Sequence, residues 1–369
     1  MSSAEALRSA RARVDLGRLE RNYRALELLA GRPLMPVLKA DAYGHGAVAV
    51  ARRLEALGAT VLAVAYVQEA SALRAGGVRV PIVVLTPFAP GQEDVVLRED
   101  LTPVVSTVWG LRTVLDLARG PGRPLAVHLK VDTGMTRLGL LPQEAPAAAE
   151  ALAARPGLRL EGLLTHLASA DEDAPATARQ LDRFDEVARA LGERGLRPPL
   201  VHAANSAGLA FLRPGHTMAR PGLLLYGLRP RPLSPDVAVE PVMTVSARIA
   251  RLVEVPAGTA VSYGGRWVAE RPSRIATLPL GYADGVPRTD AMRQRGAFLV
   301  RGRRAPVVGT VCMDLTMLDV TGVPEAAEGD EAVLLGDAPG AWEVAHCAGT
   351  NAWQALTAIS PRVPREHVG

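Results

Sequence analysis

Two lysines are conspicuous because almost every other basic residue in the chain is arginine. Of 42 lysine and arginine residues, only Lys39 and Lys130 are lysines. A guanidinium stays protonated and does not readily form a Schiff base, so arginine cannot replace lysine where a reactive amine is needed. The two lysines are therefore candidates for chemistry. Chance survival in an arginine-biased composition is the alternative.

Lys39 ends a short apolar run in the segment PVLKADAYGHG. If that run is a barrel strand, its carboxyl end lies where barrel enzymes carry their catalytic residues. An amine there can form a Schiff base with the aldehyde of a cofactor. Tyr43, within the predicted loop Ala40–Gly46, is close enough in sequence to contact the same cofactor. The alternative is a lysine that only extends its ammonium into water from a strand end.

Two glycine-containing segments predict a site for a phosphate group. Asn205 and Ser206 lie in HAANSAG, and Arg220, Gly222 and Leu223 lie in ARPGLLLYG. Backbone N–H groups after the seventh and eighth strands of a barrel often bind phosphate, with a hydroxyl such as that of Ser206 assisting. Each segment alone also reads as an ordinary turn.

Other candidate side chains are less specific alone. His166 ends the sixth predicted strand and His202 lies in the seventh. Isolated histidines are more often structural than functional, but both become plausible cofactor neighbours beside Lys39 and Ser206. Tyr263 lies in VSYGG, which by itself reads as a strand turn. To act as a base its phenol, which normally titrates near pH 10, needs a cationic neighbour such as arginine or His166.

Short apolar runs alternate with helical patterns through the first two-thirds of the chain. This pattern is typical of strands buried on both faces of a parallel sheet. Eight such units in about 230 residues predict a (β/α)₈ barrel, with a doubly wound open sheet as the alternative. The predicted strands are Leu34–Lys39, Val61–Ala65, Ile82–Leu85, Pro103–Val105, Ala126–Val131, Gly162–His166, Leu200–Ala203 and Leu223–Tyr226. The predicted helices include Ala47–Leu57, Gln68–Ala75, Leu111–Ala118, Ala145–Ala154 and Thr177–Leu191.

The pattern changes after the proline- and arginine-rich segment Arg229–Pro235. We expect an α/β barrel domain over residues 1–240 and a mostly β domain over 241–369, with little helix before Asn351–Ile359. The predicted strands of the second domain are Pro241–Val255, Arg274–Leu280, Ala297–Val311, Thr316–Val320 and Ala332–Leu335.

Composition argues against several classes of protein. No apolar run is long enough to span a bilayer and the first residues do not resemble a signal peptide, so we expect a cytoplasmic protein. The net charge of +4 is spread along the chain and aromatic residues make up 4 %, which argues against a nucleic-acid partner. The two cysteines, Cys312 and Cys347, allow one disulfide at most, and no cluster of metal ligands is visible.

Taken together, the segments around these residues resemble the alanine racemase family over nearly the whole length of the chain. The resemblance is carried by PVLKADAYGHG, HLKVDTGMTRLG, THLASAD, ANSAG and ARPGLLLYG, followed by VSYGG, LPLGYADG, VCMD and RVPR in the same order. It implies a barrel that binds pyridoxal 5′-phosphate, alanine as substrate, and a supply of D-alanine for the cell wall.

The resemblance also implies two bases. Lys39 would hold the cofactor as a Schiff base and serve one enantiomer of alanine, while Tyr263 would serve the other from the opposite face. In this family the tyrosine reaches the active site of the partner subunit, which implies a homodimer. Racemisation requires proton removal from one face of Cα and return to the other, and two opposed bases achieve this.

Further roles are implied residue by residue. The phosphate contacts would be Tyr43, Ser206, Gly222 and Leu223. Arg220 would face the pyridine nitrogen, leaving the ring neutral and limiting side reactions such as transamination. His166 would lie against the ring, Arg137 and Met313 would contact the substrate carboxylate, and Tyr282 and Asp171 would line the substrate corridor. Lys130 would carry a carbamate that orients the adjacent arginine, with an ion pair to Asp132 or another carboxylate as the alternative.

One departure concerns the C-terminal segment GTNAWQALT. The family pattern has tyrosine and glutamate where this chain has Trp353 and Gln354, and the tyrosine hydroxyl helps to hold the cofactor phosphate. An indole offers one N–H donor and no hydroxyl. This keeps open a broader racemase that accepts serine. A barrel-type decarboxylase and a non-catalytic pyridoxal phosphate-binding protein are further alternatives, but Arg220 and the second domain argue against them.

Overall fold

The computed structural model of the chain describes residues 8–117 and 124–369. Its helices are α1 (Leu16–Ala30), α2 (Lys39–Gly44), α3 (Ala47–Ala56), α4 (Val67–Ala75), α5 (Glu93–Arg98), α6 (Val108–Leu117), α7 (Ala145–Ala153), α8 (Ala174–Glu193), α9 (Asp290–Arg295), α10 (Ala341–Ala348) and α11 (Ala352–Thr357). The last residue of the predicted helix Leu111–Ala118 lies outside the described residues.

The strands are β1 (Arg11–Asp15), β2 (Leu62–Val64), β3 (Ile82–Val84), β4 (Leu101–Val105), β5 (Leu125–Lys130), β6 (Leu158–Leu164), β7 (Leu200–His202), β8 (Met243–Arg248), β9 (Arg251–Val255), β10 (Ala260–Val261), β11 (Trp267–Val268), β12 (Ser273–Leu278), β13 (Ala297–Val300), β14 (Arg303–Pro306), β15 (Thr316–Asp319), β16 (Glu331–Leu335) and β17 (Arg365–Val368). Contacts divide the chain into two compact units. One comprises Leu19–Ala42 and Gly46–Val239, and the other comprises the described part of Met1–Arg18, Tyr43–His45 and Glu240–Gly369.

The larger unit is the expected barrel. Strands β2 to β7 pair in parallel in sequence order, and β2, β3 and β4 are buried along their whole length. Their Val, Ile and Leu side chains fit a sheet covered on both faces, since helices follow most of these strands. Because each connection returns the chain to the same end of the sheet, the carboxyl ends of the strands share one rim.

Two further extended segments close the barrel. Met35 donates its N–H to the carbonyl of Ala219 at 2.8 Å, and Leu38 donates to Ala63 at 2.8 Å. On the other side, Thr217 donates to Val201 at 2.8 Å. Segments 34–38 and 217–221 therefore occupy the first and eighth strand positions. The prediction of Leu223–Tyr226 as the eighth strand is wrong, because these residues form a 3₁₀ helix directly after that segment.

The smaller unit is rich in strands, as predicted. It contains a six-stranded sheet in the order β14-β13-β16-β8-β1-β17, a three-stranded sheet β15-β12-β9 and the pair β10-β11. The N-terminal strand β1 pairs antiparallel with β8 and parallel with β17. The sequence analysis placed this segment in the barrel domain, since nothing local to it reveals partners more than 200 residues away.

Three details of the second half differ from the sequence-based expectation. The predicted run Ala297–Val311 contains two strands, β13 and β14, because Arg301 and Gly302 both take positive φ values and form a tight hairpin turn. The run Pro241–Val255 likewise contains β8 and β9. Helices α9 and α10 precede α11, so the expectation of little helix before Asn351–Ile359 is wrong. Alanine-rich α10 begins after Gly340 and buries its Ala341, Val344 and Ala345 face.

Both cysteines are free thiols. Among the described residues, no helix combines the length and apolar character needed to cross a membrane.

Candidate active site at the barrel rim

Lys39 is the first residue of α2, a short helical turn whose backbone is left-handed. The four residues that follow it, 40–43, all have φ between +53° and +54°, although none is glycine. A left-handed turn costs an L-residue about 1–2 kcal/mol, so the surrounding structure must hold this segment. Ala42 donates to the carbonyl of Leu38 at 2.8 Å, and Ala40 donates to Oε1 of Glu69 at 2.6 Å. The sequence analysis expected a loop here, and the structure shows a strained helical turn.

The surroundings of Lys39 lower the pKa of its amine. Desolvation, followed by the positive charge of Arg137, lowers the pKa of Lys39, while the carboxylate of Glu69 opposes the shift. A lower pKa increases the fraction of neutral amine near neutral pH, and the neutral amine is the form that attacks an aldehyde. Glu69 was not predicted from the sequence. Its only local signal is its position as the third residue of α4.

Lys130 lies at the end of β5 and is almost fully buried. Burial, followed by the charges of Arg220 and Arg137, lowers its pKa to about 8. In the described part of the chain its Nζ has no ion pair with Asp132, whose carboxylate accepts the N–H groups of Gly134 and Met135, both at 2.9 Å. The charge of Asp132 still opposes the lowering of the Lys130 pKa, and the choice between a carbamate and an ion pair with Asp132 or another carboxylate stays a prediction.

Arg220 is the most deeply buried cation of the rim, with 3 % of its surface exposed. Its NH1 donates to Nδ1 and to the carbonyl of His202, at 2.7 and 2.6 Å. Its NH2 donates to the carbonyls of Thr165 and Ala203, at 2.7 and 3.1 Å. Desolvation lowers the pKa of Arg220 to about 10, so it stays cationic at neutral pH. These four hydrogen bonds use the N–H groups of NH1 and NH2, and the Nε–H takes part in none of them.

His166 follows β6 at the same rim. Burial, followed by the charges of Arg220, Lys130, Arg137 and Lys39, lowers its pKa well below the usual range. The ring is therefore neutral at neutral pH. Its backbone carbonyl accepts a hydrogen bond from Nε2 of Gln180 at 3.2 Å. Four cationic side chains act on one imidazole, so this rim is strongly positive and suits an anionic ligand.

Ser206 and Gly222, two residues of the predicted phosphate site, are in direct contact. The Ser206 hydroxyl oxygen accepts N–H groups from Gly222 at 3.0 Å and from Leu224 at 3.2 Å. Asn205 accepts the N–H of Gly208 through Oδ1 at 2.8 Å. These contacts bring the loop after β7 against the 3₁₀ helix that begins at Leu223. The Ser206 oxygen is thus occupied by two backbone N–H groups, and its own hydroxyl proton is left to donate to a further acceptor.

Three predicted residues of the β-rich unit share one surface. Tyr263, Met313 and Tyr282 are 69 %, 53 % and 36 % exposed. Thr310 Oγ1 donates to the carbonyl of Tyr263 at 3.1 Å, and Tyr282 donates its N–H to the carbonyl of Cys312 at 2.9 Å. A side chain at Gly281 would lie 2.3 Å from the carbonyl oxygen of Met313, so glycine is required for this close packing.

The other predicted site residues lie in several different elements. Trp353, in α11, packs edge-to-face on Trp342 of α10, with ring centroids 5.7 Å apart. Tyr43 is buried within α2, and Asp171 is half-buried in the loop after β6. In the β-rich unit, Arg288 lies over the ring of Tyr282 at 5.3 Å. The described residues contain no cluster of side chains suited to a metal ion.

Comparison with known proteins accounts for both units. The N-terminal domain model of alanine racemase matches residues 14–230 and the C-terminal domain model matches residues 242–367. The chain belongs to the alanine racemase family. An alanine racemase of Halothermothrix orenii is 42 % identical, over 96 % of both chains, and one of Sorangium cellulosum is 45 % identical, over 97 % of this chain and 99 % of the relative.

Solved structures agree with this family assignment. Alanine racemase from a D-cycloserine-producing Streptomyces lavendulae has a TM-score of 0.89 at 37 % identity, covering 98 % of this chain and 97 % of the other. Alanine racemase from Bacillus anthracis with bound L-Ala-P has a TM-score of 0.87 at 33 % identity, covering 98 % and 95 %. The alternatives of a barrel-type decarboxylase and of a non-catalytic binding protein are therefore set aside.

Alanine racemases depend on pyridoxal phosphate, and the donor set of the rim fits that cofactor. Lys39 offers an amine of lowered pKa to the aldehyde. Ser206, which is held by the N–H groups of Gly222 and Leu224, offers its hydroxyl proton to the phosphate. Arg220 offers its Nε–H, which takes part in none of its four hydrogen bonds, to a ring nitrogen. The three chemical features of the cofactor thus each have a matching protein group on one rim.

Proposed function

We propose that this enzyme interconverts L- and D-alanine with pyridoxal phosphate, using Lys39 and Tyr263 as bases on opposite faces of Cα. The observation that carries the proposal is the rim itself, where the lowered-pKa amine of Lys39 shares one barrel end with the buried Arg220 guanidinium and the Ser206 hydroxyl. Bound pyridoxal phosphate withdraws electrons from Cα of alanine and so acidifies its α-hydrogen.

Holding the cofactor is assigned to residues of several loops. Ser206, Gly222, Leu223 and Asn205 would bind the phosphate, with Tyr43 and Trp353 contributing to the same site. His166 would pack against the ring as a neutral imidazole, which its lowered pKa supports.

Arg220 would donate its Nε–H to the ring nitrogen. Because a guanidinium of pKa about 10 keeps its proton at neutral pH, the nitrogen remains unprotonated. This moderates electron withdrawal and favours return of a proton to Cα over side reactions.

We assign substrate binding to the positive charge of Arg137 and to exposed residues of the β-rich unit. Arg137, an exposed guanidinium in the loop after β5, would bind the alanine carboxylate together with Met313. Tyr282 and Asp171 would line the substrate corridor. We propose a homodimer in which Tyr263 and Met313 serve the active site of the partner subunit. The 69 % exposure of Tyr263 supports this, because a base so open to water in one chain needs a second surface to enclose it.

The direct test is racemisation by the purified holoenzyme, followed separately from L-alanine and from D-alanine. Interconversion in both directions, with the cofactor fixed to Lys39 by borohydride and located by peptide mapping, is the expected result. Racemisation of L-serine at a rate comparable with that of L-alanine would favour the broader racemase instead.

Trp353 bears on substrate range and on cofactor retention. We expect Trp353→Tyr to slow dissociation of pyridoxal phosphate about tenfold, because a hydroxyl adds a hydrogen bond to a charged group worth about 1.5 kcal/mol. Trp353→Phe, which lacks the hydroxyl, is the matched control. Cofactor release is followed by dialysis and the KM is measured for alanine and for serine. Unchanged release together with an unchanged alanine-to-serine preference would contradict the assignment of Trp353 to this site.

Lys130 is proposed to be carbamylated. A neutral amine attacks carbon dioxide, forming an N–C bond and losing one proton, and its pKa of about 8 makes the neutral form accessible at mildly basic pH. The resulting anion would be stabilised by the charges of Arg137 and Arg220, which disfavour the ammonium. We expect a carbamate carbon signal in protein equilibrated with ¹³C-bicarbonate, and its loss in Lys130→Met. Experimental electron density that ends at a bare Nζ would refute the modification.

A further inference from the structure

Two buried histidine side chains lie one after the other between Arg220 and the carboxylate of Glu161. Arg220 NH1 donates to His202 Nδ1 at 2.7 Å, and His202 Nε2 lies 3.0 Å from His128 Nδ1. His128 Nε2 lies 3.9 Å from Oε2 of Glu161 and has no hydrogen-bond partner among the described residues. Both imidazoles are 0 % exposed. The four side chains will be called the Arg220–Glu161 chain.

The charged groups at the two ends favour the same arrangement of protons on the two imidazoles. A guanidinium only donates, which favours His202 Nδ1 as an acceptor and places the His202 proton on Nε2. That proton is donated to Nδ1 of His128, which leaves the His128 proton on Nε2. The last N–H then faces the Glu161 carboxylate, which only accepts. Burial lowers the pKa of both imidazoles, which keeps them neutral as this arrangement requires.

The fold makes room for the imidazole of His128 where β5 pairs with β6. A β-carbon at Gly162 would lie 2.4 Å from Nδ1 of His128, so only glycine fits beneath the imidazole. The pairing of β5 with β6 also shifts register between Val127 and His128. A local irregularity and a missing side chain thus coincide at His128. Ordinary core packing does not need either feature, since an aliphatic residue would fill the space.

We propose that His128 and Glu161 are positioning residues for Arg220, which fix the His202 tautomer and thereby the face that the guanidinium presents to the cofactor. The proposal rests on the proposed function, because the cofactor contact of Arg220 belongs to it. With the His202 proton moved to Nδ1, two donors would face each other at 2.7 Å and the guanidinium would have to turn. The negative charge of Glu161 opposes that change by attracting the proton of His128 to Nε2.

Arg159 provides a control in the same ion-pair group. Its NH1 lies 2.7 Å from Oε1 of Glu161, on the carboxylate oxygen that does not face His128. Removing Arg159 weakens this surface pair and leaves the acceptor of the Arg220–Glu161 chain in place. Glu161→Ala removes the acceptor itself. The two variants therefore separate loss of a surface ion pair from loss of the chain.

The primary experiment uses the holoenzyme labelled with ¹⁵N-histidine, with imidazole signals assigned by single substitutions. In the unaltered enzyme and in Arg159→Ala we expect His202 to carry its proton on Nε2. In Glu161→Ala we expect mixed tautomers at His128 and His202. His128→Phe, which fills the site without an acceptor, is the second variant in case Glu161→Ala is poorly folded.

The second readout is pyruvate released per racemisation event, since each transamination transfers the amino group of alanine to the cofactor and frees pyruvate. We expect this ratio to rise roughly tenfold in Glu161→Ala and His128→Phe, a size typical of lost outer partners of a binding group, and to stay unchanged in Arg159→Ala. Wild-type tautomers and a wild-type ratio in both variants would overturn the proposal. An enzyme that does not racemise alanine would refute the proposed function instead, while the ¹⁵N result would still judge the chain of imidazoles.

Discussion

Replacing Lys39 by alanine is expected to lower racemisation of alanine at least about a thousandfold in both directions. The amine is assigned two roles, attachment of the cofactor and proton transfer at one face of Cα, and general acid–base catalysis alone contributes about 10²–10⁴-fold. Lys39→Arg should be as inactive as Lys39→Ala, because arginine preserves the charge but neither attacks the aldehyde nor releases a proton at neutral pH.

The comparison between the two Lys39 variants is the informative part of the experiment. If Lys39 served only to attract an anionic cofactor to the positive rim, Lys39→Arg would retain most of the activity. Initial rates from L- and D-alanine, measured with saturating pyridoxal phosphate, distinguish the two cases. An exposed lysine for a control is not available, since Lys130 is the only other one, so Arg112→Ala, an exposed residue of α6, serves to show that loss of a surface charge is harmless.

The barrel and the position of Lys39 were predictable because they depend on local patterns. Runs of buried Val, Ile and Leu indicated parallel strands, and a strand end in a barrel is a rim position whatever the loop does next. The conformation of residues 40–43 was not predictable. Non-glycine residues rarely take positive φ, and here the turn is held in part by Glu69, a tertiary constraint that lies 29 residues away in sequence.

Residues that act through contacts distant in sequence were likewise missed. His128 and Glu161 lie 33 positions apart and meet only because β5 pairs with β6 in a shifted register. Strand β1 finds its partners β8 and β17 more than 200 residues further along the chain. Leu223–Tyr226 failed as a strand for a different reason. Four apolar residues do not by themselves distinguish a buried strand from a buried 3₁₀ turn. In the structure, segment 217–221 occupies the eighth strand position of the barrel.

Replacing Tyr263 by phenylalanine is expected to lower racemisation about 10²–10⁴-fold while leaving the fold intact. The exposed ring is kept and only the hydroxyl is lost. Since Lys39 remains, exchange of the α-hydrogen with deuterium from solvent should persist for one enantiomer and fall for the other. Equal loss of exchange from both enantiomers would contradict the assignment of one base to each face. Tyr66→Phe, an exposed tyrosine at the start of α4, is the matched control.

Mixing two inactive variants tests whether Tyr263 acts in the partner subunit. Subunit exchange between Lys39→Ala and Tyr263→Phe dimers produces roughly half mixed dimers. If sites are shared, each mixed dimer contains one site with both substitutions and one site with neither, so about a quarter of the wild-type rate should return. If each chain uses its own Tyr263, every site keeps one defect and no activity returns. The exposure of Tyr263 in a single chain raises the question of whether the active site is shared. Inactivating either residue alone does not answer it. The fraction of activity recovered on mixing does, because it distinguishes a shared active site from a self-contained one.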